Sequence, residues 1–368
     1  MRNNMKVLKK RKLLALMMIV LVAFASSGCG SKAAPEKTER TRPIVDCIGR
    51  SVEIPENIDR IGCLYAFSGH VTALLGEEDK IVAVVNGLKR DKLLTGMFPD
   101  LLNKPAPFSE DSINIEELAK LDPDVVFIRE TTAANKSEME KLEAFGIPAL
   151  VIDSNTIEEQ RKSVLLVGEV CGEEALNQAK KYDEFFEQAI LTAEGKTKTI
   201  KPDRIVTVFH SINEATRTDN AGSLPAQWTA LTGVVNISAD QELSQLEGKS
   251  YAGLEQIYKW DPDLIICNEP GVAGYILTDQ KWAGLQAVKN NKVYQMPIAI
   301  SRWGHPGSME TPLAIYWLGK LAYPELYSDV DLEQKTKEFY QTFFHYDLND
   351  EEVSKILSGE GMRKGKSE

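Results

Sequence analysis

The sequence is short of several features, and each shortage closes off a class of chemistry. Its five cysteines are Cys29, Cys47, Cys63, Cys171 and Cys267, and no two of them form a C-x-x-C pair. That excludes a zinc ribbon or a thioredoxin-type motif. Four histidines, at positions 70, 210, 305 and 345, with no His-rich loop, disfavour a bare zinc or manganese site. Such a site wants three or four convergent His and carboxylate ligands. There is no G-x-S-x-G, P-loop or H-E-x-x-H to support hydrolytic or nucleotide chemistry. Basic residues are outnumbered, 43 Lys and Arg against 54 Asp and Glu, and beyond residue 28 they form no patch, so nucleic acid is a poor partner. The apolar run Leu13 to Ala25 is 13 residues long, too short for an ordinary membrane-spanning helix.

That run has another use. Lys6, Lys9, Lys10, Arg11 and Lys12 precede it, and Ser26-Ser27-Gly28-Cys29 follows, the layout of an export signal. The small residues before Cys29 resemble a lipoprotein lipobox, with Ser26 standing where such boxes usually carry Leu. Residues 1–28 are then a lipoprotein signal peptide, and Cys29 is the lipidated first residue. The mature chain sits on the outer face of the cytoplasmic membrane. Cleavage removes six basic residues and no acid, leaving 37 basic against 54 acidic and a net charge of −17. Residues 29–43 are polar and without apolar period, and read as a tether. Export permits a disulfide between Cys47 and Cys63, while burial as small apolar residues is at least as good a reading.

The element around which the rest is arranged is a helix from Glu173 to Glu194. Ala175, Leu176, Ala179, Tyr182, Phe186, Ala189, Ile190 and Ala193 repeat with a period near 3.6. Gly195 is the expected stop. No Gly-, Ser- or Pro-rich hinge interrupts it, so it predicts a stiff connector. Its flanks repeat: Glu116 opens EELAKLDPDVVFI, and Glu255 opens EQIYKWDPDLIIC. Each is a short helix, an Asp-Pro-Asp turn and a buried strand. Asp59-Arg60-Ile61 before ALLG is echoed by Asp203-Arg204-Ile205 before ALTG. Strands alternating with helices predict parallel βαβ sheets. The fold expected is α/β, with two Rossmann-like lobes joined by a single long α-helix and a ligand cleft between them. The boundaries expected are 44–170 for the N-terminal lobe, 171–195 for the connector, 196–345 for the C-terminal lobe and 346–368 for a flexible tail. Within them, a hairpin spans 44–55, a capping box at Thr156 opens a helix to about Val170, and Lys281 to Ala287 is helical.

The signal, GRSVEIP, DRIG…ALLG, INIEELAKLDPDVVFI, FGIPALVID, the long helix and GLEQIYKWDPDLIIC together resemble the solute-binding lipoproteins of ABC importers for iron–siderophore, haem and cobalamin. The likeness runs from about Pro43 to Tyr340. It implies a monomer that binds and delivers a ligand, an iron chelate first, to an ABC permease and its ATPase, with no cofactor and no covalent chemistry. It also implies that Glu116 and Glu255 meet arginines on the permease, one from each lobe.

In open α/β sheets ligands lie beyond the carboxyl ends of the strands. That rule selects Tyr65, Phe67 and His70, then Arg129 and Glu130, then His210, Asn213 and Arg217, then Asn268 and Glu269. The last loop, Ser301 to Glu310, carries Arg302, Trp303, His305 and Met309. Arg pairs bidentately with anions, and Trp offers a flat face to a large chelate. His305 ligating a metal and His305 bonded to backbone are equal readings; for Arg217 and Arg302, ligand contact and a salt bridge are too. Trp303 is expected to line the cleft. A ferric siderophore fits this set, and haem, a corrinoid or a molybdate-type oxyanion remain open. An enzyme on a similar scaffold, such as a metal chelatase using His70 or His210 with Glu269, is the competing class, and the export signal argues against it.

Overall fold

The computed structural model describes residues 40–109 and 112–359. The signal peptide and Cys29 lie outside the described residues. In the first lobe, the hairpin β1 (Thr41–Val45) and β2 (Ser51–Pro55) leads to β3 (Ile61–Cys63) and helix α1 (Ala66–Leu74). Then come β4 (Ile81–Ala83), α2 (Ile115–Lys120), β5 (Val125–Ile128) and β6 (Ala149–Val151). These strands form a four-stranded parallel sheet in the order β4-β3-β5-β6. Two long helices follow, α3 (Ile157–Cys171) and α4 (Glu173–Thr197). The second lobe runs β7 (Thr207–Ser211), α5 (Leu224–Leu231), β8 (Val235–Asn236), α6 (Leu254–Trp260), β9 (Leu264–Cys267) and β10 (Val293–Gln295). Its sheet is also four-stranded and parallel, in the order β8-β7-β9-β10. The two lobes therefore repeat one strand order. Both central strands, VVFI and LIIC, are buried at every residue, as a sheet covered on two faces requires.

The Asp-Pro-Asp repeat has a physical basis in this topology. Its first aspartate ends the short helix in the left-handed region, with φ of 46° at Asp122 and 44° at Asp261. The proline prevents the helix from continuing. The second aspartate then holds the start of its own sheet. Asp124 Oδ2 accepts the Asp59 and Arg60 amides, both at 2.8 Å, and Asp263 Oδ2 accepts the Thr207 amide and hydroxyl, both at 2.8 Å. One three-residue motif thus stops a helix and ties the next strand to the first.

The connector forms where the apolar period predicts it. Ala175, Ala179, Tyr182, Phe186, Ala189 and Ala193 are buried. It does not stop at Gly195 but runs on to Thr197, because nothing there breaks the backbone ladder and Gly195 has no positive φ. Its 25 residues span roughly 37 Å at 1.5 Å per residue. The helix does not stand alone. Gly172, at φ 119°, turns the chain back so that α3 and α4 pack antiparallel. Gly168 allows the close approach: a Cβ there would lie 2.8 Å from Ala179 Cβ. Arg161 fastens the pair through Asp183 at 2.6 Å and Glu187 at 2.7 Å. The Thr156 side chain caps α3 by accepting the Glu159 amide.

Two further expectations fail. Residues 281–287 are not a helix; the helices there are Val272–Thr278 and Gln286–Lys289. The stretch after 345 is no flexible tail over its described part. Helices α7 (Thr311–Ala322) and α8 (Leu332–Phe344) are followed by α9 (Asp350–Ser358). Asn349 and Glu352 form a reciprocal capping box, and Val353 and Ile356 are buried. Ile356 O accepts the Ile298 amide at 3.0 Å, so the last helix braces the loop after β10. The four described cysteines are unpaired; Cys63, Cys171 and Cys267 are buried.

Candidate functional site: a cleft between two lobes

A cavity of about 490 Å³ opens where the carboxyl ends of the two sheets face each other. The first lobe lines it with residues 64–67, His70, 85–87, Phe108, Ser109 and Arg129, and the second with Ser301, Arg302 and residues 305–308.

On the first-lobe side, β3 ends at Cys63 and α1 follows its N-cap Tyr65, so the amino end of a nine-residue helix borders the cavity. A helix start of this kind favours negative charge. The Tyr65 hydroxyl is 3.0 Å from Ser154 Oγ, and its ring lies under the Arg129 guanidinium, 4.2 Å from Cζ. Burial pushes the Tyr65 phenol up, with Ser154 and Arg129 pulling it back. His70, one turn into α1, is buried; its Nε2 is 2.8 Å from Asp91 Oδ2 and its Nδ1 is 3.4 Å from Gly307 O in the opposite lobe.

On the second-lobe side, Arg302 crosses the carboxyl edge of the sheet. Its Nη1 donates to Glu269 Oε2 at 2.7 Å and to Asn213 Oδ1. Asn213 and Glu269 follow β7 and β9, so three strand-end loops meet at this guanidinium. The His305 ring Nδ1 is 2.8 Å from Pro306 O, which favours the backbone-bonded reading of this residue.

Tyr65, His70, Arg129, Arg302 and His305 are thus brought together at the cavity; Trp303, His210 and Arg217 are not, nor is the fully buried Met309. Trp303 is fully buried and belongs to the core, not the cleft wall. Its polar neighbours pointed outward, but the loop turns between Arg302 and Gly304 and sends the indole inward. His210 is fully buried in β7, with Nδ1 2.8 Å from Asp219 Oδ2 and its ring edge-on to Trp228. Arg217 sits in a short strand paired with Lys249–Tyr251 and does not line the cavity. Asp91 and Ser154, which hold His70 and Tyr65, carried no sequence signal. Asn86 and Gly87 follow β4, and the strand-end rule applied to that strand finds them. Glu116 and Glu255 are both exposed, each at the second residue of its helix. Among the described residues no group of three His, Cys, Asp or Glu side chains is gathered to hold a metal ion, and no helix is long and apolar enough to cross a membrane.

Two α/β lobes, a stiff connector and a cleft between strand ends define an extracytoplasmic solute-binding protein. The chain belongs to the periplasmic binding protein family, whose pattern matches residues 61–299. It is 29% identical over 331 residues to the molybdate-binding protein MolA of Haemophilus influenzae, covering 82% of this chain and 91% of that one. It is 23% identical to the iron-uptake system-binding protein of Bacillus subtilis, covering 77% of this chain and 90% of the relative. Among solved structures, a periplasmic solute-binding protein of Veillonella parvula superposes with a TM-score of 0.76 at 28% identity, covering 86% of this chain and 97% of that one. MolA bound to molybdate superposes with a TM-score of 0.72 at 26% identity, covering 84% and 99%. The protein is therefore the solute-binding component of an ABC transporter, not an enzyme, and the chelatase reading is set aside.

Proposed function

We propose that the protein captures a compact anionic metal species, a molybdate-type oxyanion, and delivers it to its permease. The observation that carries this reading is that Arg129 and Arg302, from opposite lobes, line one cavity together with the amino end of α1. Guanidinium donors lining one cavity from both lobes, with Arg302 held in place by its ion pair with Glu269, suit a small, multiply charged oxyanion. The likeness to MolA supports the same ligand class. The ferric siderophore expected from sequence is the second reading. It is favoured by a cavity of about 490 Å³, roomy for one oxyanion, and by the aromatic lining of Tyr65, Phe67 and Phe108. Burial of Trp303 removes the broad ring face that a large chelate or tetrapyrrole would want. Calorimetric titration with molybdate, tungstate, sulfate and a ferric tris-catecholate decides between them. Molybdate or tungstate binding with sulfate excluded supports the first reading; binding of the catecholate alone overturns it.

The route to the permease is part of the proposal. Glu116 and Glu255 are repeat-related carboxylates that suit a permease of two similar halves. Cys29 is the lipid anchor, and more than one acyl chain is implied, since a single chain binds membranes only marginally. Replacing Cys29 by Ala should move the protein to the soluble fraction; unchanged membrane association would reject the anchor.

A further inference from the structure

The loop that presents Arg302 and His305 is closed at its neck by one carboxylate. Glu310 follows the loop directly and stands at the head of α7, fully buried. Its side chain does not cap that helix. It turns back and gathers donors from both ends of the loop. Oε1 accepts the Ile300 amide at 3.1 Å, the Ser301 amide at 3.3 Å and the Tyr340 hydroxyl at 2.8 Å. Oε2 accepts the Ser301 hydroxyl at 2.6 Å and the Ser308 hydroxyl at 3.1 Å. The entry (Ile300, Ser301) and the exit (Ser308) of the loop are thereby joined through a single side chain, and Tyr340 ties the knot to α8. Burial raises the Glu310 pKa, with the Ser301 and Tyr340 bonds opposing.

Other elements hold the loop between these points. Trp228 Nε1 donates to Gly304 O at 2.8 Å, Gln160 Nε2 donates to Ser308 O, and the Tyr182 hydroxyl donates to Met309 O at 3.0 Å. Those three bonds go to backbone oxygens and do not join the two ends. Only Glu310, among these contacts, spans the neck. Without that link the entry and exit of the eight-residue loop from Arg302 to Met309 would be free to part, and a binding group on it would lose affinity to the cost of ordering.

We infer that Glu310 is a positioning residue for ligand binding: it touches no ligand but fixes the loop that carries Arg302 and His305 into the cleft. This inference rests on the cleft reading above for its affinity arm alone. The hydrogen bonds set the variants. Glutamine keeps an acceptor for the two amides and Tyr340, and its NH₂ can donate to the two serine hydroxyls, which rotate to accept. Alanine removes the acceptor of the Ser301 amide and of the Ser301, Ser308 and Tyr340 hydroxyls, and leaves the Ile300 amide only its longer bond to the Tyr340 oxygen, 3.3 Å.

The test compares Glu310→Ala and Glu310→Gln for molybdate affinity and for amide hydrogen exchange of residues 301–309 without ligand. Glu310→Ala should weaken binding by about 10–100-fold, the scale seen when outer partners of metal-binding groups are removed, and should speed exchange within 301–309 but not in α4. Glu310→Gln should bind with close to the parent affinity and lose less than Glu310→Ala in both measurements. Parent-like affinity and exchange in Glu310→Ala would overturn the inference, as would equal losses in both variants. Should Glu310→Ala not fold, Tyr340→Phe removes one donor and should speed loop exchange; unchanged exchange there counts against the clamp. If the parent protein binds no molybdate, the oxyanion reading fails, and the exchange comparison still decides the clamp.

Discussion

Each lobe carries a histidine paired with an aspartate at 2.8 Å, His70 with Asp91 and His210 with Asp219, yet only His70 lines the cleft. The difference lies in which element carries the histidine. In the first lobe the strand ends at Cys63 and His70 lies seven residues further on, in the helix that follows. In the second it is five residues long and includes His210, which the sheet therefore buries beneath Trp228. The second lobe replaces the missing group with the loop after β10, held at its neck by Glu310. The scaffold is repeated between lobes and the binding edge is not. Backbone-tying residues such as Asp124 and Asp263 have one geometry to satisfy, while the strand-end loops are free to differ.

The largest effect should come from the exposed repeat-related carboxylates. Glu116→Ala with Glu255→Ala should reduce uptake by cells to background while ligand affinity and melting temperature stay at the parent values. Unimpaired uptake in the double variant would leave both glutamates as helix-start acids only. The two histidines come next. His210→Ala leaves the buried Asp219 with Asn236 as its remaining side-chain partner, and should cost about 3–5 kcal/mol in denaturant unfolding. The folded fraction should still bind ligand normally. His70→Ala should weaken binding as well, since its ring lines the cavity. Equal affinity losses for the two would erase the distinction between the lobes. The smallest effect concerns the repeat itself. Asp124→Ala and Asp263→Ala should each cost about 1–3 kcal/mol, by loss of bonds to an ionised acceptor. They lie in separate lobes, so the losses should add within about 0.5 kcal/mol. A strong coupling between them would mean that the lobes do not hold their sheets independently.

Much of the frame was legible because it rests on local periodicity. The apolar stripe of α4, the Asp-Pro-Asp repeat and the alternation of strand and helix each reflect hydrogen-bonding or packing that neighbouring residues dictate. The last helix was missed: its charged surface concealed Val353 and Ile356, although the Asn349 and Glu352 capping pair stood in the sequence. The site was readable only as far as the strand-end rule reaches. That rule found Tyr65, His70, Arg129, Arg302 and His305, and applied to β4 it leads to Asn86 and Gly87. It could not tell that Trp303 turns inward or that His210 remains inside its strand, since strand length and loop direction depend on tertiary packing. Asp91, Ser154 and Glu310 act through partners 21, 89 and up to 30 residues away in sequence, a separation that leaves no local pattern.

The central claim is that one solute is held from both lobes at once, and paired arginine variants test it most directly. Calorimetric titration of molybdate into Arg129→Ala, Arg302→Ala and the double variant should show each single change weakening binding by about tenfold or more, at 1.4 kcal/mol per decade. The double change should abolish measurable binding with the fold intact. Parent affinity in the double variant would contradict the account and put the ligand outside this cleft.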